Sequence, residues 1–344
     1  MKKTLLAMAA LTAFAGVASA QSSVTLFGIV DLSAVSVKNN ALSQKLLASN
    51  QLNSNRLGFR GVEDLGGGMR AGFWLEGAMN NDDGTGTATG GGQNWQRRST
   101  VSLLGGFGEI RLGRDYTPSF WNYTVFDPFG TNGPGSMLNL VSTLGSGATT
   151  LVRANNTIGY FLPAMGGLYG QVQVAAGEAV AGNKYSGLRV GYAAGPVNVA
   201  VALGNTAKVD GLADKYKDSN VGAQFNLGFM NLIGQYSKRS FLNRDQKTAL
   251  LGLTVPLGAS TLKASYVNSK GAQGSNTVDF DAKQIALGYQ YDLSKRTALY
   301  ATLSSLNNDG NAATGSRFTI GSGPAMTVGG ATSKGYALGL RHSF

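Results

Sequence analysis

Apolar and polar side chains alternate at every second residue along most of this 344-residue chain. In SVTLFGIVDLS, Val24, Leu26, Val30 and Leu32 share one parity; Thr25, Asp31 and Ser33 take the other, with Phe27 and Ile29. In NVGAQFNLGF, Val221, Ala223, Phe225 and Leu227 oppose Asn220, Gln224 and Asn226. KQIALGYQYDLS sets Ile285, Leu287, Tyr289 and Tyr291 against Gln284, Ala286 and Gln290. The closing stretch YALGLRHSF does the same and ends on Phe344. A period of two belongs to extended strands, whose side chains point alternately to opposite faces. Past the first twenty residues no segment of similar length carries a 3.6-residue apolar stripe, so the chain reads as all-β.

Connectors of two kinds separate the strands. EDLGGGM, GGFGE, AMGG, AAGPV, PLGAS and YDLSK are short and turn-like, with Gly, Pro and Asp supplying the turn geometry. KNNALSQKLLASN, NNDDGTGTATGGGQN, GNTAKVDGLADKYKD and NSKGAQGSNTVD are longer and polar. Segments between connectors number about sixteen, at roughly twenty residues per strand and connection. Short turns alternating with long loops on dyad-patterned strands describe a transmembrane β-barrel. Hydrocarbon cannot satisfy backbone N–H and C=O groups, so a membrane sheet must close on itself, apolar side outward. A 43% apolar content with 50 glycines and 7 prolines fits that inversion better than it fits a soluble β-sandwich or a solenoid. The expectation is a 16-stranded antiparallel transmembrane β-barrel.

At the start, MKK is basic, TLLAMAALTAFAGV is apolar and ASA is a small-residue cleavage site. This three-part pattern predicts a secretory signal peptide over 1–20 and one barrel domain over 21–344, beginning at Gln21. The formal net charge is +11, and removing Lys2 and Lys3 with the leader leaves +9. In an exported protein that balance argues for anionic solutes or lipid as partners, and against nucleic acid. With no cysteine, disulfides and thiol chemistry are excluded. One histidine, His342, leaves no basis for a His/Cys metal site and almost none for a Ser-His-Asp hydrolase. No cofactor and no enzymatic activity are expected.

One connector departs in size. Thr117–Thr150, TPSFWNYTVFDPFGTNGPGSMLNLVSTLGSGATT, holds a single charged residue, Asp127, among aromatic, small and glycine residues. Structureless loops of this length in compact folds are usually functional. Its composition suits a segment folded inward against the wall.

Five motifs, SSVTLFGIVD, NRLGFRGVEDLGGGMRAGFWLE, RRSTVSLLGGFGEIRLGRDYTP, RANNTIGYFLP and YALGLRHSF, occur in order along the chain. Together they resemble the general porins of Gram-negative bacteria, in particular the betaproteobacterial and neisserial branch. The resemblance implies a 16-stranded homotrimer in the outer membrane, with the third loop, 117–150, folded into each pore. It implies that the last strand pairs with the first, and that Phe344 is part of the signal read by the outer-membrane assembly machinery. The chain is most similar to strongly anion-selective members, in which arginines on the wall line the constriction. Carried onto this sequence, the arginines are Arg56, Arg60, Arg97, Arg98 and Arg153. Arg56 and Arg60 lie opposite Leu57 and Phe59, and Arg153 opposite Ile158 and Tyr160, so alternation turns all three inward. In QRRST the family motif favours Arg97, while parity with Val101 and Leu103 turns Arg97 outward and Arg98 inward; a bulge would reverse this, and both are candidates. Glu76 and Asp127 are the acids expected to face the cluster.

The function these features imply is passive diffusion of small hydrophilic solutes, with anions such as small organic acids preferred. A substrate-specific channel and a structural or adhesive barrel are the alternatives. Saturable block by a solute marks the first and absence of conductance the second.

Overall fold

A computed structural model describes residues 23–344 except 181, 208–213, 273–279 and 322; the expected leader 1–20 and the start at Gln21 lie outside the described residues. Strand β1 (Ser23–Asn39) pairs with both β2 (Leu42–Ser49) and β3 (Arg56–Gly66). Its register runs Leu32↔Ser49 with the former and Ile29↔Arg56 with the latter, so β2 and β3 are two segments of one crossing. The sheet continues through β4 (Met69–Gly77), β7 (Arg98–Gly105), β8 (Gly108–Tyr116) and β9 (Arg153–Phe161), antiparallel at every step. It proceeds in chain order to β18 (Thr297–Asn308) and β19 (Thr332–Ser343). Between β4 and β7 a two-residue ladder, β5 (Met79–Asn80) with β6 (Thr85–Gly86), stands apart. The result is a closed antiparallel barrel of sixteen crossings.

Closure is made by β1 and β19, in register from Ile29↔Ser343 to Asn39↔Ser333. Phe344 extends it by one residue, exchanging two 3.1 Å backbone hydrogen bonds with Gly28. The Phe344 ring lies across Gly28 so closely that a Cβ there would sit 2.3 Å from the ring's Cζ. The terminal aromatic thus completes the last ladder and covers the seam.

The two faces are sorted by parity. Val24, Leu26, Leu251, Ile285, Leu287, Leu303 and Leu338 stand exposed on the outside, Leu251 at 67% and Leu338 at 64%. On the inside, Gln246, Thr248, Ser237, Gln284 and Arg239 are buried. Exposed apolar and buried polar residues reverse the arrangement of a water-soluble protein, and an outer surface in hydrocarbon requires that reversal. Among the described residues no helix is long and apolar enough to cross a membrane.

One expectation fails locally. KNNALSQKLLASN is not a loop: Asn40 adopts φ 53° in a tight turn, and Leu42–Ser49 returns as β2 against β1. The alternating pattern simply continues into it.

The long connector after β8 opens with helix α1 (Pro118–Val125), where Pro118 pre-sets the first turn. A 3₁₀ turn follows at Met137–Leu140. Phe120, Tyr123, Phe126, Met137 and Leu140 are buried in one cluster with Ala200, Ile233, Leu250, Val267, Leu306 and Ile320. Asn122 Nδ2 donates to the Ala200 carbonyl at 3.2 Å, and Gln246 Nε2 donates to the Leu140 carbonyl at 2.8 Å. Gln284 Nε2 reaches the carbonyls of Gly135 and Ser136 at 3.2 and 3.1 Å. These partners all lie on the face opposite the exposed apolar one.

Candidate functional site

Two arginine clusters form on this inner face near the start of the long connector. In the first, Glu76 on β4 is the hub. Its Oε1 accepts from Arg97 Nε at 2.6 Å and lies 3.2 Å from Arg56 Nη1, while Oε2 accepts from Trp74 Nε1 at 3.1 Å. Arg97 Nη2 donates to the Tyr116 hydroxyl at 3.1 Å, and Arg153 Nη2 to the same oxygen at 2.8 Å. Arg153 Nε holds the Arg97 carbonyl at 2.7 Å, and its guanidinium lies 4.3 Å from the Tyr116 ring centroid. Tyr116 in turn stacks on Phe120 of α1, centroids 5.0 Å apart. Two guanidiniums hold the one carboxylate and the third, Arg153, joins them through the Tyr116 hydroxyl and the Arg97 carbonyl, a local excess of positive charge carried by groups that stay protonated.

The second cluster contains Arg98, Arg60 and Arg111. Arg98 lies 4.4 Å and Arg60 5.1 Å from the Trp74 ring centroid. Arg111 makes a bidentate pair with Glu109 at 2.8 and 2.9 Å and bonds Asp115 at 2.5 Å. Arg98 Nε stands 3.9 Å from the same Asp115. Three cations face two acids, so the excess is smaller.

Arg56 and Arg60 are on the inner face because they pair with Ile29 and Thr25, opposite in parity to the outward Leu26 and its partner Phe59. Both QRRST arginines turn inward. Arg98 does so by parity, opposite Glu76 in the ladder. Arg97 precedes the strand; its N–H bonds the Glu76 carbonyl and its side chain swings to the Glu76 carboxylate. Parity does not carry through to Arg153. The register of β8 and β9 shifts between Gly113 and Asp115, with Asn156 at φ 54°, and Arg153 pairs with Tyr116 beyond that bulge. Its guanidinium reaches the cluster from the strand end.

Asp127 does not join the arginines. Its carboxylate accepts from the N–H groups of Phe129, Thr131 and Met137 at 2.9, 3.2 and 3.0 Å, bracing the turn after α1. Burial pushes its pKa up to about 6, against the pull of those N–H groups and of Lys263. Sequence reasoning missed Arg111, Glu109 and Asp115, although GEIRLGRD alternates them with Ile110 and Leu112. It also missed Arg189, 4.6 Å from the Tyr169 ring and bonded to Asn122, and the buried Arg239, bonded at 2.6 Å to the Tyr123 hydroxyl. Both hold α1, a contact between residues 67 and 116 apart in sequence. His342 sits on β19 with its Nδ1 2.9 Å from Thr297 Oγ1, and no cluster of metal-ligating residues occurs among the described residues.

Residues 7–311 match the family model of the Gram-negative porins. The chain is 39% identical to outer membrane porin protein 32 of Delftia acidovorans over the whole of both chains. It is 30% identical to an outer membrane porin protein of Bordetella pertussis, over 88% of this chain and 93% of that one. The solved structure of an anion-selective porin from Comamonas acidovorans superposes with a TM-score of 0.85 at 35% identity, covering 94% of this chain and 100% of that one. With sixteen antiparallel crossings, an inverted surface and a family match across most of its length, the chain belongs to the Gram-negative porin family.

Proposed function

We propose that this porin is a passive outer-membrane diffusion channel that prefers small anions, organic acids included. The observation that carries the reading is the gathering of Arg56, Arg97 and Arg153 around Glu76 and Tyr116. Its similarity to the Comamonas acidovorans protein, described as anion-selective, supports the same reading. A single unpaired guanidinium about 8 Å from a passing anion is worth roughly 2 kcal/mol at an effective dielectric near 20, less after salt screening. Such attraction enriches anions without holding them, as conduction requires. Arg60 and Arg98 extend the positive wall, partly neutralised by Asp115. Residues 117–150 narrow the lumen, since their contacts run to inner-face residues from Ala200 to Gln284. Arg97 and Arg98 both contribute, Arg97 in the more positive cluster. The assembly is a homotrimer in outer-membrane lipid. Residues 1–20 serve as a cleaved leader, 21–344 form the barrel domain, and Phe344 is the residue that the assembly machinery reads.

Reversal potential across a tenfold KCl gradient in a planar bilayer tests the selectivity. The wild type should give stepwise conductance with the sign for chloride. Arg56→Gln with Arg153→Gln should move the potential most of the way to zero while the steps persist. An unchanged potential in the double variant removes the arginines from the mechanism.

A further inference from the structure

The second arginine cluster holds one cation without a carboxylate. Arg60 lies four residues beyond Arg56 on β3, about 13 Å along the strand toward the glycine turn at 66–68. Short turns mark the periplasmic end in this architecture, so Arg60 lies on the periplasmic side of the first cluster. From Glu76 toward that end, the inner face of β3, β4, β7 and β8 carries Arg60, Arg70, Arg98 and Arg111 against Asp64, Glu109 and Asp115. Asp64 stands directly opposite Arg70 in the ladder. Arg111 engages Glu109 and Asp115, and Arg98 shares Asp115. The flanking strands β1 and β9 add no charge to the face at this depth. Four cations thus meet three acids, and Arg60 is the one left over: it makes no hydrogen bond or ion pair with a described residue.

Rings hold this guanidinium in place. Its Cζ lies 5.3 Å from the Phe27 centroid and 5.1 Å from the Trp74 centroid. Phe27 meets Trp74 edge-on at 5.2 Å, and Trp74 is tied to Glu76 through its Nε1. Cation–π contact steadies the cation but gives its N–H groups no oxygen acceptor, so its planar fork is free to take a carboxylate by two bonds. A side chain already held loses little freedom on binding. Beside it the water-facing wall turns apolar. Val62 shares the inner parity of Arg60, yet is 42% exposed. Across Gly72 from it stands Leu104: a Cβ at Gly72 would lie 3.4 Å from Leu104 Cδ1 and 3.9 Å from Val62 Cγ2. With Arg60, Trp74, Arg98 and Thr25 these two line a hollow of about 390 Å³, the size of a small-molecule site. A second negative charge on the ligand would find no free cation there, and Glu109, which also lines the hollow, repels it.

We propose that Arg60, backed by Phe27 and Trp74 and flanked by Val62 and Leu104, is a binding site for a monocarboxylate with an apolar body about one ring in size. The carboxylate takes the Arg60 fork, and the apolar body covers Val62 and Leu104. The site is distinct from Arg56, Arg97 and Arg153, and it names a solute class that the field of those arginines alone does not select. It rests on the reading of the lumen as a path for anions.

The test is block of the KCl current through single channels in a planar bilayer. Benzoate is the probe; acetate lacks its apolar body and benzyl alcohol lacks its charge. Benzoate should block the wild type saturably, at a concentration about tenfold or more below that needed with acetate, and benzyl alcohol should not block. R60Q should weaken benzoate block on the order of tenfold. R60K should weaken it severalfold, because an ammonium keeps the charge but not the planar fork. V62N should weaken it about fivefold with the chloride reversal potential unchanged, because only apolar contact is lost. R60K and V62N carry the test should R60Q not fold. The proposal is overturned if acetate blocks as well as benzoate, or if R60K or V62N is blocked as the wild type is. A wild type without chloride preference but with benzoate block that depends on Arg60 would sink the proposed selectivity and spare this site; chloride preference without preferential benzoate block would do the reverse.

Discussion

Under the proposed function, Glu76 serves both structure and selectivity. Its carboxylate holds Arg97 at 2.6 Å and Arg56 at 3.2 Å, fixing two flexible side chains on the inner face. It also cancels one of the three positive charges. Glu76→Gln should therefore act in two directions. Permeability for chloride over potassium should rise severalfold in bi-ionic potentials, because a negative charge leaves the cluster. Stability should fall by about 1–3 kcal/mol, seen as a lower heat-denaturation temperature, because Arg97 loses a charged hydrogen-bond partner. Higher selectivity without loss of stability would mean that Tyr116 alone positions Arg97.

At the scale of elements, the segment 117–150 depends on close approach. Phe126 packs so tightly over Gly222 of the wall that an added Cβ would stand 2.0 Å from its ring. Gly222→Val should unseat the segment and raise single-channel conductance about twofold or more, with the barrel still folded. A conductance equal to wild type would show that the segment does not narrow the channel. Asp127 braces the same element through three backbone N–H groups. Its folded pKa of about 6 lies above the ordinary value of 3.8. A raised folded pKa makes its contribution fully present below about pH 4 and lost as pH rises through about 6. The difference corresponds to about 3 kcal/mol of local stability. Amide exchange at Phe129, Thr131 and Met137, corrected for intrinsic rates, should be slower at pH 4.5 than at pH 7.5. Asp127→Asn should abolish that difference; its persistence would place the pH effect elsewhere.

For the whole molecule, charge is arranged in concentric layers: arginines inside, an uncharged lipid band outside, and lysines at one rim. Fixed charge on a water-filled wall is screened over a Debye length of about 10 Å at 0.1 M salt and about 3 Å at 1 M. The anion-to-cation permeability ratio should therefore fall by several-fold between those concentrations. A ratio independent of salt would point to size or direct coordination in place of the field of the arginines.

Period-two alternation, connector lengths and the need of hydrocarbon for a closed sheet settled the architecture from sequence, down to the number of crossings. Parity also placed Arg56, Arg60 and Arg98, because their strands run unbroken. It turned Arg97, which precedes its strand, the wrong way; Arg153 lies beyond a bulge, so its inward guanidinium owes nothing to the strand's period. The resemblance, not parity, set Asp127 against the arginines, whereas three backbone N–H groups of its own turn hold the carboxylate. Alternation along one strand says which side a residue faces, but not which residue of the next strand lies beside it. That second fact is the register, fixed by the closure of all sixteen crossings together; it put Lys238 beside Lys247 and Arg98 opposite Glu76, while side-chain reach brought Arg97 and Arg153 in.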